Sequence, residues 1–203
     1  MAKLKSIVSA YIREYQAGAQ QERDWFANQP SLTEAVRLAA FAQNCRGKRL
    51  SHQYRIPRLV LQRCEKTLLD HIHEIRSCKD FDQLHQTIIR LLRGIRGAGE
   101  LYYYDTAERI AARLGIAPKR VYLHAGTRIG ARNIGLKGSR VAIELAELPH
   151  EFLILEPREI EDLLCLYKDQ LAGAPLRERN GCTPKGSRSN CRSLAVKRRN
   201  SIC

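Results

Sequence analysis

Acidic residues are scarce beside basic ones in this 203-residue chain, with 21 Asp and Glu against 35 Lys and Arg for a formal charge of +14. An excess of that size favours a polyanionic partner such as nucleic acid. Long apolar runs are absent. None approaches the roughly 18 residues of a membrane span, and the opening Met-Ala-Lys-Leu-Lys lacks the apolar core of a secretory signal. The expectation is a cytoplasmic protein with no membrane partner. Cysteines occur at 45, 64, 78, 165, 182, 191 and 203, with no C-x-x-C pair, and His71, His73 and His85 lack the i, i+4 spacing of a helical metal pair. No metal site is expected. Cys64 and Cys165 fall in apolar-periodic segments and read as buried free thiols of a reducing compartment. Walker loop, dinucleotide fingerprint and nucleophile elbow are all missing, so no small-molecule cofactor is expected.

What is present is helical periodicity. Leu4, Ile7, Val8, Tyr11, Ile12 and Tyr15 form one stripe, and Pro30 with the capping pair Ser31 and Glu34 opens a second helix. A basic connector, 44–55, is either a solvated loop or a phosphate contact. Pro57 opens a third helix through Val60, Leu61, Cys64 and Leu68. Pro118 starts a segment through Val121, Tyr122 and Leu123, and Phe152-Leu153-Ile154-Leu155 is a short strand or a buried loop. Pro157 begins the last helix, with Ile160, Leu163, Leu164, Tyr167 and Leu171 on one face. The expected fold is an all-α, multi-helix domain over 1–173, followed by a basic tail, 174–203, whose composition predicts disorder. Residues 172–203 hold eight basic residues and one acid, so half of the net charge belongs to the tail.

The chain is organised around its middle, 80–114. Asp80 is an N-cap candidate with Gln83 three places on, and Phe81, Leu84, Ile88, Leu91 and Leu92 keep helical spacing. The turn Arg93-Gly94-Ile95-Arg96-Gly97-Ala98-Gly99 follows. Gly97 and Gly99 leave the amides that open the next helix accessible to an anion, with Arg93 and Arg96 supplying charge. Either one helix then runs from about Glu100 to Leu114, or Asp105-Thr106-Ala107-Glu108 is itself a capping box and the helix starts at Thr106. Successive helical residues are about 100° apart, so at least one of Tyr102, Tyr103 and Tyr104 is expected to be partly exposed. An exposed tyrosine beside the hairpin, with Tyr102 the chosen one, would stack on a base or wedge a duplex; the ordinary reading is that the three are core and rim aromatics with solvated hydroxyls.

Ile95-Arg96-Gly97-Ala98-Gly99 resembles the hydrophobic-x-Gly-hydrophobic-Gly hairpin of the helix-hairpin-helix family, whose amides hold a DNA backbone phosphate without reading bases. Leu123 to Leu136 is similar to the segment that follows this hairpin in the DNA glycosylase superfamily. The resemblance implies double-stranded DNA as partner and a link to DNA repair. It places Arg93, Arg96, Gly97, Ala98, Gly99, Tyr102 and Arg128 at the DNA. Three features depart from the family. Its catalytic aspartate falls on His124, its lyase lysine falls on Leu101, and the closely spaced cysteine quartet of its iron–sulfur members is absent.

A glycosylase needs a carboxylate near the sugar, and neither a neutral nor a protonated imidazole at His124 supplies one. His124 and Asp105 are the catalytic candidates of a divergent base-excision glycosylase, and the ordinary reading of Asp105 is helix capping. A third expectation is a helical interaction module in which the hairpin only packs helices. Whether the chain is an enzyme at all stays open at this level.

Overall fold

The computed structural model describes residues 2–50 and 53–173. The chain is mostly helical: α1 (Ala2–Tyr11), α2 (Ala17–Ala27), α3 (Leu32–Ala40), α4 (Arg58–Asp70), α5 (Ile72–Ser77), α6 (Phe81–Leu92), α7 (Glu100–Leu114), α8 (Ala125–Asn133), α9 (Pro157–Leu166) and α10 (Lys168–Leu171). The all-α expectation holds, with one small exception. β1 (Val121–Tyr122) and β2 (Ala142–Ile143) pair antiparallel in a two-stranded ladder, Val121 opposite Ile143. The 174–203 tail and its expected disorder lie outside the described residues. No helix among the described residues is long and apolar enough to cross a membrane.

Local chemistry sets several boundaries where the sequence placed them. Ser31 Oγ accepts from the Glu34 amide at 3.1 Å and Asp80 Oδ1 from the Gln83 amide at 2.8 Å, which caps α3 and α6. Gly115 ends α7 in the left-handed region at φ 69°. Pro157 occupies the first turn of α9. The first stripe runs further than expected: a π-helical turn, Ile12–Gln16, joins α1 to α2 without a break.

Two apolar cores lie side by side. The first gathers Phe26, Val36, Leu61, Leu68, Phe81, Leu84, Ile88, Leu92 and Ile110 from α2 to α7. The second joins the N-terminal helix to the C-terminal ones, through Leu4, Val8 and Tyr11 against Ile160, Leu163, Leu164 and Leu171, with Phe152 beneath. The continuous α1–α2 rod thus belongs to both cores.

α7 is the axis of the first core, packed against α2, α3 and α6. It is one helix from Glu100, so Asp105 and Thr106 lie in its interior and the capping-box start at Thr106 does not occur. Surrounded this way, α7 buries all three tyrosines: Tyr102 is 2 %, Tyr103 8 % and Tyr104 4 % exposed. The expected exposed tyrosine is therefore absent from this helix. The Tyr102 hydroxyl donates to the Ala40 carbonyl at 2.7 Å, and Tyr104 lies in a cluster with Phe81, His85 and Tyr122. Burial in that aromatic cluster pushes the His85 pKa down to about 4. Phe152 to Leu155 is neither a strand nor a wholly buried loop. Phe152 closes a 3₁₀ turn, and Phe152 and Leu155 point inward while Leu153 and Ile154 are exposed.

Between the cores runs a polar seam. Arg109 of α7, 5 % exposed at its side chain, contacts Glu22 at 3.4 Å, Asp105 at 3.6 Å and Gln53 Oε1 at 3.1 Å. On the side of the second core the Tyr11 hydroxyl donates to Asp162 at 3.2 Å. Burial, with added repulsion from neighbouring carboxylates that include Glu108 and Asp105, pushes the carboxyls of Glu161 and Asp162 well above their ordinary range.

Candidate nucleic-acid interface

The hairpin between α6 and α7 is built from two kinds of residue. Ile95 and Ala98 pack on the first core, and Tyr103 donates its hydroxyl to the Ala98 carbonyl at 2.7 Å. These contacts fix the turn from below. The two glycines have different reasons to be glycine. Gly97 has φ +101°, and a Cβ there would lie 3.2 Å from Val60 Cγ2 of α4, so the fold requires it. Gly99 has φ −125°, and a Cβ there would meet nothing within 4 Å. Neither backbone nor packing demands glycine at 99.

Gly99 is the N-cap of α7 and offers no side chain to the first turn. Among the described residues, the amides of Gly99, Glu100, Leu101 and Tyr102 find no backbone acceptor; the next amide, Tyr103, bonds the Gly99 carbonyl at 3.0 Å. Helices α3 and α6 close the same position with Ser31 and Asp80. These open residues form one wall of a cavity of about 310 Å³, completed by Gln53 and Ile56 of the connector and by Ala125, the first residue of α8. Two helix N-termini therefore meet at the cavity, and their partial positive charge favours an anion there.

Charge around the cavity is uneven. Arg93 and Arg96 are exposed and carry no ion pair among the described residues. Arg128 of α8 is committed instead to Glu100, with Nη2 at 3.3 Å from Oε1 and a second, shorter contact from Nη1 to Oε2. Arg128 holds the Glu100 carboxyl below its usual range and neutralises the one acid on the cavity wall. Of the residues expected at the DNA, the structure brings together Gly99 and Tyr102 on the wall, Ala98 beside them, and Arg128 through Glu100. Tyr102 contributes with its hydroxyl already bonded inward.

His124 is elsewhere. It is the N-cap of α8, 3 % exposed, with its ring Nε2 against the Glu161 carboxyl and its amide donating to Thr127 Oγ1 at 2.7 Å. Burial lowers the His124 pKa and raises that of Glu161, which disfavours the charged form of each. Asp105 lies behind the wall, 12 % exposed, and accepts from Gln53 Nε2 at 2.6 Å. Gln53 thus separates Asp105 from the cavity. Among the described residues no group of three or more His, Cys, Asp or Glu side chains is placed to hold a metal ion, and Cys64, Cys78 and Cys165 are free thiols.

Sequence reasoning missed Gln53 and Ile56, which reach the cavity from the basic connector. Their signal was that connector itself, whose charge is partly structural: Arg49 Nη1 donates to the Tyr54 carbonyl at 3.2 Å and to the Ile56 carbonyl at 2.8 Å. No family model, curated protein or solved structure matches the chain.

Proposed function

We propose that this protein binds the backbone of double-stranded DNA by seating a phosphate on the first-turn amides of α7. The observation that carries the reading is Gly99, a glycine the fold does not need at a helix N-cap that is left open. A side chain there would close those amides; its absence keeps them available to an oxyanion. Arg93 and Arg96 add charge beside the turn, and Arg128 cancels Glu100, which would otherwise repel the phosphate. Amide contacts of this kind position a duplex and carry no sequence information. Base release is not part of the proposal: His124 is buried against Glu161, and Asp105 is screened from the cavity by Gln53.

The test is Gly99→Asp in a chain ending at Gly173, which removes the basic tail as a competing source of binding. Aspartate is a favoured N-cap and suits the extended backbone, so folding stability is expected to hold or rise by a few tenths of a kcal/mol. Its carboxylate occupies the amides and opposes the phosphate, and duplex affinity is expected to fall by roughly tenfold or more. Unchanged affinity with intact folding makes the hairpin purely architectural.

A further inference from the structure

The basic excess of this chain has one acidic interruption. Residues 141–171 hold eight acids and two basic residues, a charge of −6, between 1–140 at +13, with 25 basic residues and 12 acids, and 172–203 at +7, with eight and one. The acidic stretch includes α9 and, with the π-helical turn and α2, lines a second groove of about 480 Å³. On one side lie Ile12, Gln16, Ala17 and Gln20; on the other lie Ile154, Glu156 and Glu159. Two side-chain bonds tie the sides together. Gln16 Nε2 donates to Glu159 Oε1 at 2.9 Å, and Arg158 Nη2 donates to Gln20 Oε1 at 2.8 Å. Arg158 also pairs with Glu156 at 3.0 Å and offsets one carboxylate, so the groove keeps a net negative charge.

The apolar side chains of the groove are open to solvent: Ile154 is 70 % and Ile12 37 % exposed. Apolar residues gathered in a concavity with a charged rim mark a binding surface. Its occupant must pair apolar side chains with positive charge. The chain carries such a segment in Arg192-Ser193-Leu194-Ala195-Val196-Lys197-Arg198-Arg199, three consecutive apolar residues between basic ones. It is also within reach. Lys3 Nζ donates to the Ala172 carbonyl at 2.8 Å, so residues 174–203 depart beside the first turn of α1. Ile12 lies nine residues further along the same rod, about 14 Å at the helical rise, whereas the 21 residues from Gly173 to Leu194 span up to about 70 Å when extended. A tethered segment meets the groove at an effective concentration that a separate partner of the same chemistry must match from solution.

We propose that residues 192–199 dock on this groove within the same chain, with Leu194 and Val196 against Ile12 and Ile154 and the flanking basic residues toward the carboxylates of the acidic stretch. Docking sets the Lys197–Arg199 cluster against that acidic stretch and away from other polyanions. The proposal is independent of the phosphate-binding reading, which concerns the hairpin alone.

The experiment uses the full-length ¹⁵N-labelled chain under reducing conditions, as wild type and as the double variant Leu194→Asp/Val196→Asp. Their amide spectra are expected to differ at Ile12, Ala17 and Ile154 and to coincide at Gly115. A synthetic peptide of residues 192–201, added to the double variant, is expected to return the groove amides toward their wild-type positions. The same peptide with serine for Leu194 and Val196 keeps every charge and is expected to bind about tenfold or more weakly. Ile154→Asp, at a residue the cores do not use, is expected to move the Ala195 amide in the otherwise natural chain. Groove amides that coincide in the wild type and the double variant overturn the proposal, as does a serine peptide that binds equally well, which reduces the contact to charge alone. Wild-type groove shifts that change with protein concentration in step with a doubling of mass also overturn it, since a second copy then covers the groove.

Discussion

Gly130→Ala is expected to cost about 3 kcal/mol or more of folding stability, beyond the usual range for a single added methyl in a core. α8 and α9 cross so closely at this point that a Cβ on Gly130 would sit 2.1 Å from the Leu164 carbonyl oxygen and 2.8 Å from its carbon. The obstacle is backbone inside α9, which no rotamer change relieves. The two helices must separate, and the second core, which contains Ala131, Leu163 and Leu164, opens with them. Gly94 is the control, since a Cβ there meets nothing within 4 Å and Gly94→Ala is expected to fall within about 0.5 kcal/mol of the wild type. Urea unfolding of the two variants checks the contrast. Equal midpoints contradict the close crossing of α8 and α9.

The second large effect is expected at His124, and it is structural. His124→Ala leaves the Glu161 carboxyl buried without the ring it contacts, and opens a space between α8 and α9. An unsatisfied buried polar group combined with a lost side chain costs about 2 to 4 kcal/mol. Replacing both members with leucine removes the polar mismatch, and part of the loss is expected to return. At a temperature where His124→Ala remains folded, its affinity for duplex DNA is expected to stay within twofold of the wild type. A variant that keeps its stability and loses DNA binding or base release contradicts this assignment and returns His124 to the site.

What was legible in the sequence was local. Caps at Ser31 and Asp80, the left-handed stop at Gly115 and the proline start of α9 each depend on residues within a turn of one another, and each formed as read. Asp105 shows the limit of that logic. Asp105-Thr106-Ala107-Glu108 is a sound capping pattern, yet Asp105 sits in mid-helix, where Gln53 of the connector and Arg109, one turn along α7, satisfy it. The same holds for the tyrosines. Helical geometry alone argues for one exposed ring among Tyr102–Tyr104, and the central position of α7, with neighbours all round, overrides it. The hairpin was legible as a pattern of glycines, but the separate reasons for Gly97 and Gly99 depend on Val60, far away in sequence. Gln53 and Ile56 were hidden for a related reason: only the fold brings the connector to the cavity.

The central claim concerns a few backbone amides, and amide NMR observes them directly. The measurement is a titration of the ¹⁵N-labelled chain ending at Gly173 with a short duplex, following the resonances of Gly97 to Tyr102 against those of Gly115 and Gly130. The account predicts that the first-turn amides of α7, Gly99 and Glu100 above all, shift progressively with added DNA while the distant glycines stay in place. Shifts confined to other surfaces, with Gly99 to Tyr102 unmoved at saturating duplex, would contradict it.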